Sequence, residues 1–402
     1  MISVEEAQAQ VCCCALPLTP KRVHLHNALG LWLVETIISD TDSPPFDKSM
    51  LDGYAISLSD ASETRKVIGE VIAGGVPHRA VEPGTTIRIM TGAPVPDGTD
   101  AVVKQEETQQ IDESTIRLPA TSFAKGAGIL RIGSSFRKGQ ELLAPQRRLR
   151  PVDIALLAEL GKARVEVVPR PKVSVLATGN ELVECGWRTT PGQIHNSNSP
   201  MLSALLTELG ATPIDLGIAR DDKQVLDSKM RAGLETDVLL VTGGVSVGMM
   251  DLVPSALSSL GVKEVFHKVR VKPGKPVWFG VREEGERRTL VFGLPGNPVS
   301  SLVGFELFVK PALRALAGEG FTVSKPQKGI LSNTASHRGD RPTYNPCQVI
   351  YDAQRGNLPQ VDCQPWRGSA DLAALTRANA LAILPPGDYK LESGSEVGFV
   401  RL

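Results

Sequence analysis

The chain has 402 residues, 42% of them apolar, enough for about two to four domains with cores of their own. Lysine plus arginine and aspartate plus glutamate both number 44, so the formal net charge is zero and the basic surplus of a nucleic-acid binder is missing. No apolar run approaches the roughly 18 residues of a membrane span. The start Met1-Ile-Ser-Val-Glu-Glu6 also lacks the basic-then-apolar order of a signal peptide, so a cytoplasmic protein with no membrane partner is expected.

Ser3 and Glu6 form a capping box, and Val4, Ala7, Val11 and Cys14 fall on one face of the helix it opens. Cys12, Cys13 and Cys14 then read as helix packing, with redox chemistry the lesser reading, and Cys185, Cys347 and Cys363 are scattered. No pair of cysteines has zinc-ligand spacing, which suits a reducing compartment. His24 and His26 read as ordinary surface or packing residues.

Residues 41–139 change character. Lys66–Ile72, Thr86–Met90, Ala101–Lys104 and Thr115–Leu118 are short runs between glycine turns, the signature of a small β domain. Its opening stretch is Pro44-Pro-Phe-Asp-Lys-Ser-Met-Leu-Asp-Gly-Tyr-Ala55, where Asp52-Gly53 alone reads as a turn. Residues 140–170 return to helix with Val152, Ala155, Leu156 and Leu160, and Pro169-Arg-Pro171 marks a boundary. The β domain is thus inserted into a helical and extended N-terminal domain made of 1–40 and 140–170.

From 171 to 318 strands and helices alternate, as in a doubly wound parallel sheet. Expected strands are Val173–Ala177, Pro213–Gly217, Val238–Thr242 and Leu290–Gly293, with helices near 200–209, 222–233, 252–260 and 299–317. The strands run into Thr178-Gly-Asn-Glu181, Ala219-Arg-Asp-Asp222, Gly243–Asp251 and Leu294-Pro-Gly-Asn-Pro298. Such carboxyl-end loops line the ligand crevice of an open α/β sheet. Residues 319–402 read as a second β domain, with Val349–Tyr351 and Leu381–Leu384 as its clear strands.

The loop Thr242-Gly-Gly-Val-Ser-Val-Gly-Met-Met-Asp251 joins a buried strand to a helix start. Gly243, Gly244 and Gly248 let backbone approach a ligand, and the free N–H groups of the helix start favour an anion. It matches neither a Walker loop nor a dinucleotide fingerprint. Glu181, Asp221 or Asp222, and Asp251 would meet at this edge, where Mg²⁺ shared with a phosphate relieves their repulsion. The plain alternatives are an N-cap for Asp251 and a helix-starting loop carboxylate for Asp221. Lys268, Arg270 and Lys272 would share one face of an extended strand, with Lys275 after them: an anion-holding surface, or simply a solvated one. Asn297-Pro298 reads as N-cap plus first-turn proline, a geometry that leaves donors free. Gly244-Val-Ser246-Val-Gly248 also fits the serine-hydrolase elbow, but only His267 and His337 follow and no oxyanion segment is evident.

Taken together these residues resemble the MoeA and gephyrin E-domain family, the molybdopterin molybdenumtransferases. The carrying motifs are 44–55, Met-Thr-Gly-Ala-Pro-x-Pro-x-Gly-x-Asp-Ala-Val-Val (90–103), Thr-Gly-x-Glu-Leu (178–182), Gly-Gly-Val-Ser-Val-Gly-x-x-Asp (243–251), Lys-Pro-Gly-Lys-Pro (272–276) and Gly-Leu-Pro-Gly-Asn-Pro-Val-Ser (293–300). The resemblance implies a four-domain subunit whose N-terminal domain dimerises, each active site shared between two subunits. It implies insertion of molybdate into adenylylated molybdopterin with release of AMP and use of Mg²⁺, and an upstream molybdopterin adenylyltransferase as partner. It makes Asp52, Thr91, Glu181, Asp221 and Asp251 catalytic, with Glu181, Asp221 and Asp251 on the metal. Gly243, Gly244, Ser246, Gly248, Lys268, Lys272, Pro273, Lys275, Pro295, Asn297, Pro298, Ser300 and Ser369 would bind substrate.

The chain departs from the family pattern at Lys48, Ser135, Asn180 and Pro346, which stand where Asn, Asp, Asp and Arg are usual. Arg338, Arg341 or Arg367 are the candidates to replace the last. The alternative function is a molybdopterin- or anion-binding or scaffold protein.

Overall fold

The computed structural model describes residues 1–220, 222–244, 252–321, 325–351 and 358–402. They form two compact units: Met1–Val23, Ala28–Val34 and Glu166–Leu402, and His24–Asn27 with Glu35–Val165. The first unit opens on α1 (Val4–Cys14). The Ser3 hydroxyl accepts from the Glu6 N–H at 3.1 Å, and the Glu6 carboxylate accepts from the Ser3 N–H at 2.7 Å, the expected capping box. Val4, Ala7 and Val11 are buried along one stripe.

The second unit holds a six-stranded sheet of β1 (Gly53–Ile56), β2 (Thr64–Val71), β3 (Thr85–Ile89), β4 (Ala101–Lys104), β5 (Gln109–Asp112) and β6 (Thr115–Arg117). Its order is β4-β1-β3-β2-β6-β5. Asp52-Gly53 is therefore no mere turn, since Gly53 begins a central strand buried at every position. Glycine is required there by space: a Cβ would stand 1.8 Å from the Val103 carbonyl oxygen across the ladder.

Helix α2 (Pro151–Glu159) lies where the apolar spacing expected one, but on a different face. Val152 is exposed and Asp153 buried at 3%, because Arg147 meets the Asp153 carboxylate at 2.8 Å and Arg150 at 3.1 Å. Burial pushes that carboxyl up, yet the two guanidiniums and the Arg150 N–H outweigh it and bring it down to about 2.

In the first unit the chain returns as β7 (Lys172–Thr178), α3 (Asn198–Glu208), β8 (Thr212–Ala219), α4 (Lys223–Gly233), β9 (Val238–Thr242), α5 (Leu252–Ser259), β10 (Lys263–His267), β11 (Trp278–Glu284) and β12 (Arg287–Leu294). The sheet order is β8-β7-β9-β12-β11-β10. The first four strands are parallel, and β9 is buried throughout, as its unbroken apolar run requires. β11 and β10 extend the sheet antiparallel. The four expected strands and helices are present, but the antiparallel pair was not foreseen.

After β12 come α6 (Pro298–Gly304), one π-helical turn (Phe305–Val309) and α7 (Lys310–Leu316). Pro311 accounts for the π turn: it has no N–H to offer the Leu307 carbonyl four residues back, and its ring crowds that oxygen. The Gln8 side-chain amide of α1 donates to the freed carbonyl at 3.0 Å. The C-terminal part is a closed barrel in the order β13-β15-β14-β16-β17, from Gln327–Leu331, Thr343–Ile350, Gln360–Cys363, Ala380–Leu384 and Glu396–Arg401 (β13, β14, β15, β16 and β17 in chain order). The fold is thus multidomain: N-terminal domains, a central α/β domain and a C-terminal β barrel. No helix among the described residues is long and apolar enough to cross a membrane.

Candidate functional site

Parallel strands β7, β9 and β12 end at one edge of the α/β sheet. There Gly243 and Gly244 take φ of +85° and +61°, conformations L side chains rarely adopt. Cβ atoms on them would stand 2.4 Å from the Thr178 carbonyl oxygen and 2.7 Å from a Val253 methyl, so space as well as φ demands glycine. The Gly243 N–H donates to the Leu294 carbonyl at 3.0 Å, and the Gly296 backbone comes close to the Gly243 Cα, which binds the ends of β9 and β12 together. The Thr178 hydroxyl donates to the Thr242 carbonyl at 3.2 Å and secures β7 to them. Glu181 follows on the surface, its carboxylate so near Gly179 that a Cβ there would lie 2.5 Å from Oε2.

Antiparallel β11 starts at the same edge, because Trp278 pairs with Gly293. The Lys272-Pro-Gly-Lys-Pro276 loop before it is thereby brought to the parallel strands' carboxyl ends. Gly274 packs toward the Ser300 carbonyl, 3.4 Å from where a Cβ would sit, while Lys272 and Lys275 are exposed. The Lys272 N–H donates to the Pro342 carbonyl at 2.9 Å, and the Lys272 carbonyl accepts from the Tyr344 N–H at 2.8 Å. Asn297 and Ser369 also meet: the Asn297 amide donates to the Ser369 hydroxyl at 2.9 Å, and the Val299 N–H to the Ser369 carbonyl at 3.0 Å. Pro273, Pro295 and Ser300 are buried in this frame, and Pro298 opens α6.

Three expectations need correction. Lys268, Arg270 and Lys272 do not share a strand face: β10 ends at His267, and Lys268 turns the chain with φ +71°. Arg270 leaves the row to donate to the Asp340 carbonyl at 3.0 Å. Asn297 is the N-cap and Pro298 sits in the first turn as expected, but the Asn297 side chain makes no capping bond and one helix-start donor is already taken by Ser369, so the donors are not all free. Asp222 is the N-cap of α4, accepting from the Gln224 and Val225 N–H groups at 2.8 and 3.0 Å.

Asp221, Ser246, Gly248 and Asp251 lie outside the described residues. Among the described residues no three His, Cys, Asp or Glu side chains cluster as a metal site, and Glu181 is the described member of the expected metal set. For the hydrolase reading, His337 is unsuited as a base. Its Nδ1 stands 2.6 Å from the Gly387 carbonyl and its Nε2 2.9 Å from the Arg341 carbonyl, so both ring nitrogens are engaged.

In the other unit Asp52 and Thr91 are brought together. Asp52 Oδ1 accepts from the Thr91 N–H at 2.7 Å and from its hydroxyl at 2.9 Å. These two bonds hold the exposed carboxyl below its ordinary range, so it stays ionised.

Two residues escaped the sequence reading. Asn198 of α3 donates to the Gly296 carbonyl at 2.7 Å, while its own amide oxygen is buried without a partner among the described residues. The polar run His195-Asn-Ser-Asn-Ser-Pro200 before a helix was the available signal. Arg341, considered only as a replacement, donates to the Val271 carbonyl at 3.1 Å, one residue before Lys272.

Comparison with known proteins identifies the family and the fold. Residues 2–161 match the family profile described as MoeA N-terminal region (domain I and II), 174–315 the probable molybdopterin binding domain, and 328–402 the MoeA C-terminal region (domain IV). The molybdopterin molybdenumtransferase of Bacillus subtilis (strain 168) is 35% identical over 98% of this chain and 93% of its own length. That of Haemophilus influenzae is 36% identical over 95% and 93%. A crystal structure of a molybdopterin biosynthesis MoeA protein from Pyrococcus horikoshii superposes with a TM-score of 0.79 at 32% identity, covering 100% of this chain and 99% of that one. The chain belongs to the MoeA family of molybdopterin molybdenumtransferases.

Proposed function

We propose that the chain inserts molybdate into adenylylated molybdopterin and releases AMP, as a step of molybdenum cofactor biosynthesis. The observation that carries this reading is the meeting of Gly243-Gly244, Lys272–Lys275 and Leu294–Ser300 at one sheet edge. Close backbone approach at the glycines and two exposed lysines suit a substrate with phosphates at one end and an oxyanion to be received. Such chemistry is mostly positioning and charge neutralisation. Lys272 and Lys275 would hold anionic oxygens, and Ser300, Ser369 and Asn297 would orient them.

Mg²⁺ is the metal of this proposal. The exposed Glu181 carboxylate is a hard oxygen donor of the kind Mg²⁺ takes, and Asp221 and Asp251 would complete the set. The ion would neutralise charge on the phosphates. We extend the proposal to a cytoplasmic homodimer in which the Asp52 segment of one subunit serves the crevice of the other. An upstream adenylyltransferase would supply the substrate. The four-domain division at 1–40 with 140–170, 41–139, 171–318 and 319–402 belongs to the same proposal.

Purified protein with adenylylated molybdopterin, molybdate and Mg²⁺ should release AMP, stop in chelator and restart with Mg²⁺. Full release in chelator would overturn the metal, and no release under any condition would leave the anion-binding or scaffold reading. A refolded mixture of Asp52→Ala and Asp251→Ala subunits should recover about a quarter of full activity, since half its dimers carry one complete site. No recovery despite verified exchange overturns the shared site.

A further inference from the structure

The C-terminal barrel places two cysteines of the chain opposite each other. Cys347 of β14 and Cys363 of β15 are antiparallel partners in register. Next to them the Gln364 N–H donates to the Pro346 carbonyl at 2.9 Å, so Pro346 and Gln364 face each other at a hydrogen-bonded position. Cys347 and Cys363, one step along, therefore occupy a non-hydrogen-bonded position. Cα atoms of such a pair approach to about 4.5 Å with both side chains on one face, inside the range that a disulfide spans. Both pack into the same core cluster with Val349, Val361 and Phe399.

The backbone around the pair is fixed. The Asn333 amide accepts from the Cys363 N–H at 3.1 Å and donates to its carbonyl at 2.9 Å, while the Cys347 carbonyl accepts from the Asn379 N–H at 3.0 Å. The adjacent triplet Cys12-Cys13-Cys14 has no such geometry, because consecutive residues of α1 point about 100° apart.

We propose that Cys347 and Cys363 are a redox pair that closes to a disulfide when the protein meets a small-molecule disulfide. Half-buried Cys363 is the attacking thiol and fully buried Cys347 the resolving one. The Cys363 thiolate attacks one sulfur of the oxidant RSSR and forms a mixed disulfide with it, while the other sulfur leaves as RS⁻ and takes up the proton Cys363 lost. Cys347 sulfur then attacks Cys363 Sγ and expels the second RS⁻, which takes the Cys347 proton. The balance is two protein thiols plus RSSR giving one protein disulfide plus two RSH.

Burial, with Asp362 beside it, pushes the Cys363 thiol up to about 11, and burial pushes the Cys347 thiol up as well. Both thiols are therefore protonated at neutral pH, and closure accelerates about tenfold per pH unit as the thiolate fraction grows. Poor leaving groups also make the closed bond slow to reduce. Cys347 lies on the strand that begins at Thr343, three residues after Tyr344, whose N–H donates to the Lys272 carbonyl. Closing the pair staples β14 to β15 within reach of the lysine loop.

The test uses the full chain, reduced and then treated with glutathione disulfide between pH 7.5 and 9, followed by alkylation and trypsin. Cleavage after Arg338, Arg355 and Arg367 separates the cysteines into peptides 339–355 and 356–367. The expected product is these two peptides linked, about 2 Da lighter than their reduced sum. It should form faster at higher pH and be released by dithiothreitol. A variant with Cys12, Cys13, Cys14 and Cys185 all replaced by serine should give the same product, and wild-type mapping stands alone if that variant does not fold. Full alkylation of Cys347 and Cys363 while Cys13 and Cys185 are oxidised overturns the proposal. So does Cys363 that stops as a glutathione adduct.

Discussion

Replacing Gly53 with alanine isolates the steric demand at the head of β1, one residue after Asp52. Gly53 is not among the residues with positive φ, so the substitution is a question of space alone. An added Cβ would lie 1.8 Å from the Val103 carbonyl oxygen, against ordinary contact from 3.4 Å, so β1 and β4 must part by about 1.6 Å. The parting falls on the pairs Gly53 with Lys104 and Tyr54 with Val103. Two ladder hydrogen bonds at about 1 kcal/mol each, and a buried carbonyl left unpaired at about 1–2 kcal/mol, sum to roughly 3–4 kcal/mol. In a unit of this size each kcal/mol moves the melting midpoint by about 4 °C, so a fall of roughly 12–16 °C is expected. Differential scanning calorimetry of Gly53→Ala beside the parent reads it directly. AMP release at 25 °C should fall too, because the displaced strand carries Asp52 away from Thr91. A fall under about 2 °C with unchanged activity would show that the strands yield freely, and the reasoning would be wrong.

Thr91→Val removes one of the two bonds that depress the Asp52 carboxyl, so the acid limb of the activity–pH profile should move up while the alkaline limb stays; an unmoved acid limb refutes a role for ionised Asp52. Asp153 is held at about 2 against an ordinary 3.8, which is about 2 kcal/mol of stability. Because its folded value is depressed, that stability is present above about pH 4 and lost as pH falls through about 2. Asp153→Asn should therefore destabilise to urea at pH 7 and hardly at pH 2, and an equal loss at both would contradict the assignment. Lys272→Gln and Lys275→Gln should each raise KM for the adenylylated substrate about fivefold, as expected for exposed charges, and flatten its salt dependence. A fall in kcat at constant KM would place the lysines elsewhere in the cycle.

What could be read from residues alone was what neighbours in the chain decide. The run Val238–Val241, the Ser3–Glu6 box and the glycines after Thr242 carry their geometry locally, and the four parallel strands of the α/β sheet and the helices between them stand where that reading put them. What escaped depends on distant partners. Gly53 is a strand residue because of Val103, about fifty positions on. Asp153 takes an inward place only because Arg147 and Arg150 compensate it, which no apolar count can reveal. The lysine row failed at one torsion, since Lys268 with positive φ breaks the alternation on which the shared face relied. Cys347 and Cys363 looked scattered because register between strands is absent from spacing along the chain.

The two hydrogen bonds that tie Lys272 to Pro342 and Tyr344, on either side of the first residue of β14, have a consequence for how the molecule can be divided. Lys272 gives its N–H to Pro342 and takes the N–H of Tyr344, so the lysine loop is held as a short extension of a barrel strand. A fragment cut after α7 would keep every strand of the α/β sheet yet lose the surface on which that loop is cast. Its lysines would hang on a backbone with both groups returned to water. The barrel is in this sense the mould of the lysine loop, and changes selected in one cannot drift far without a matching change in the other.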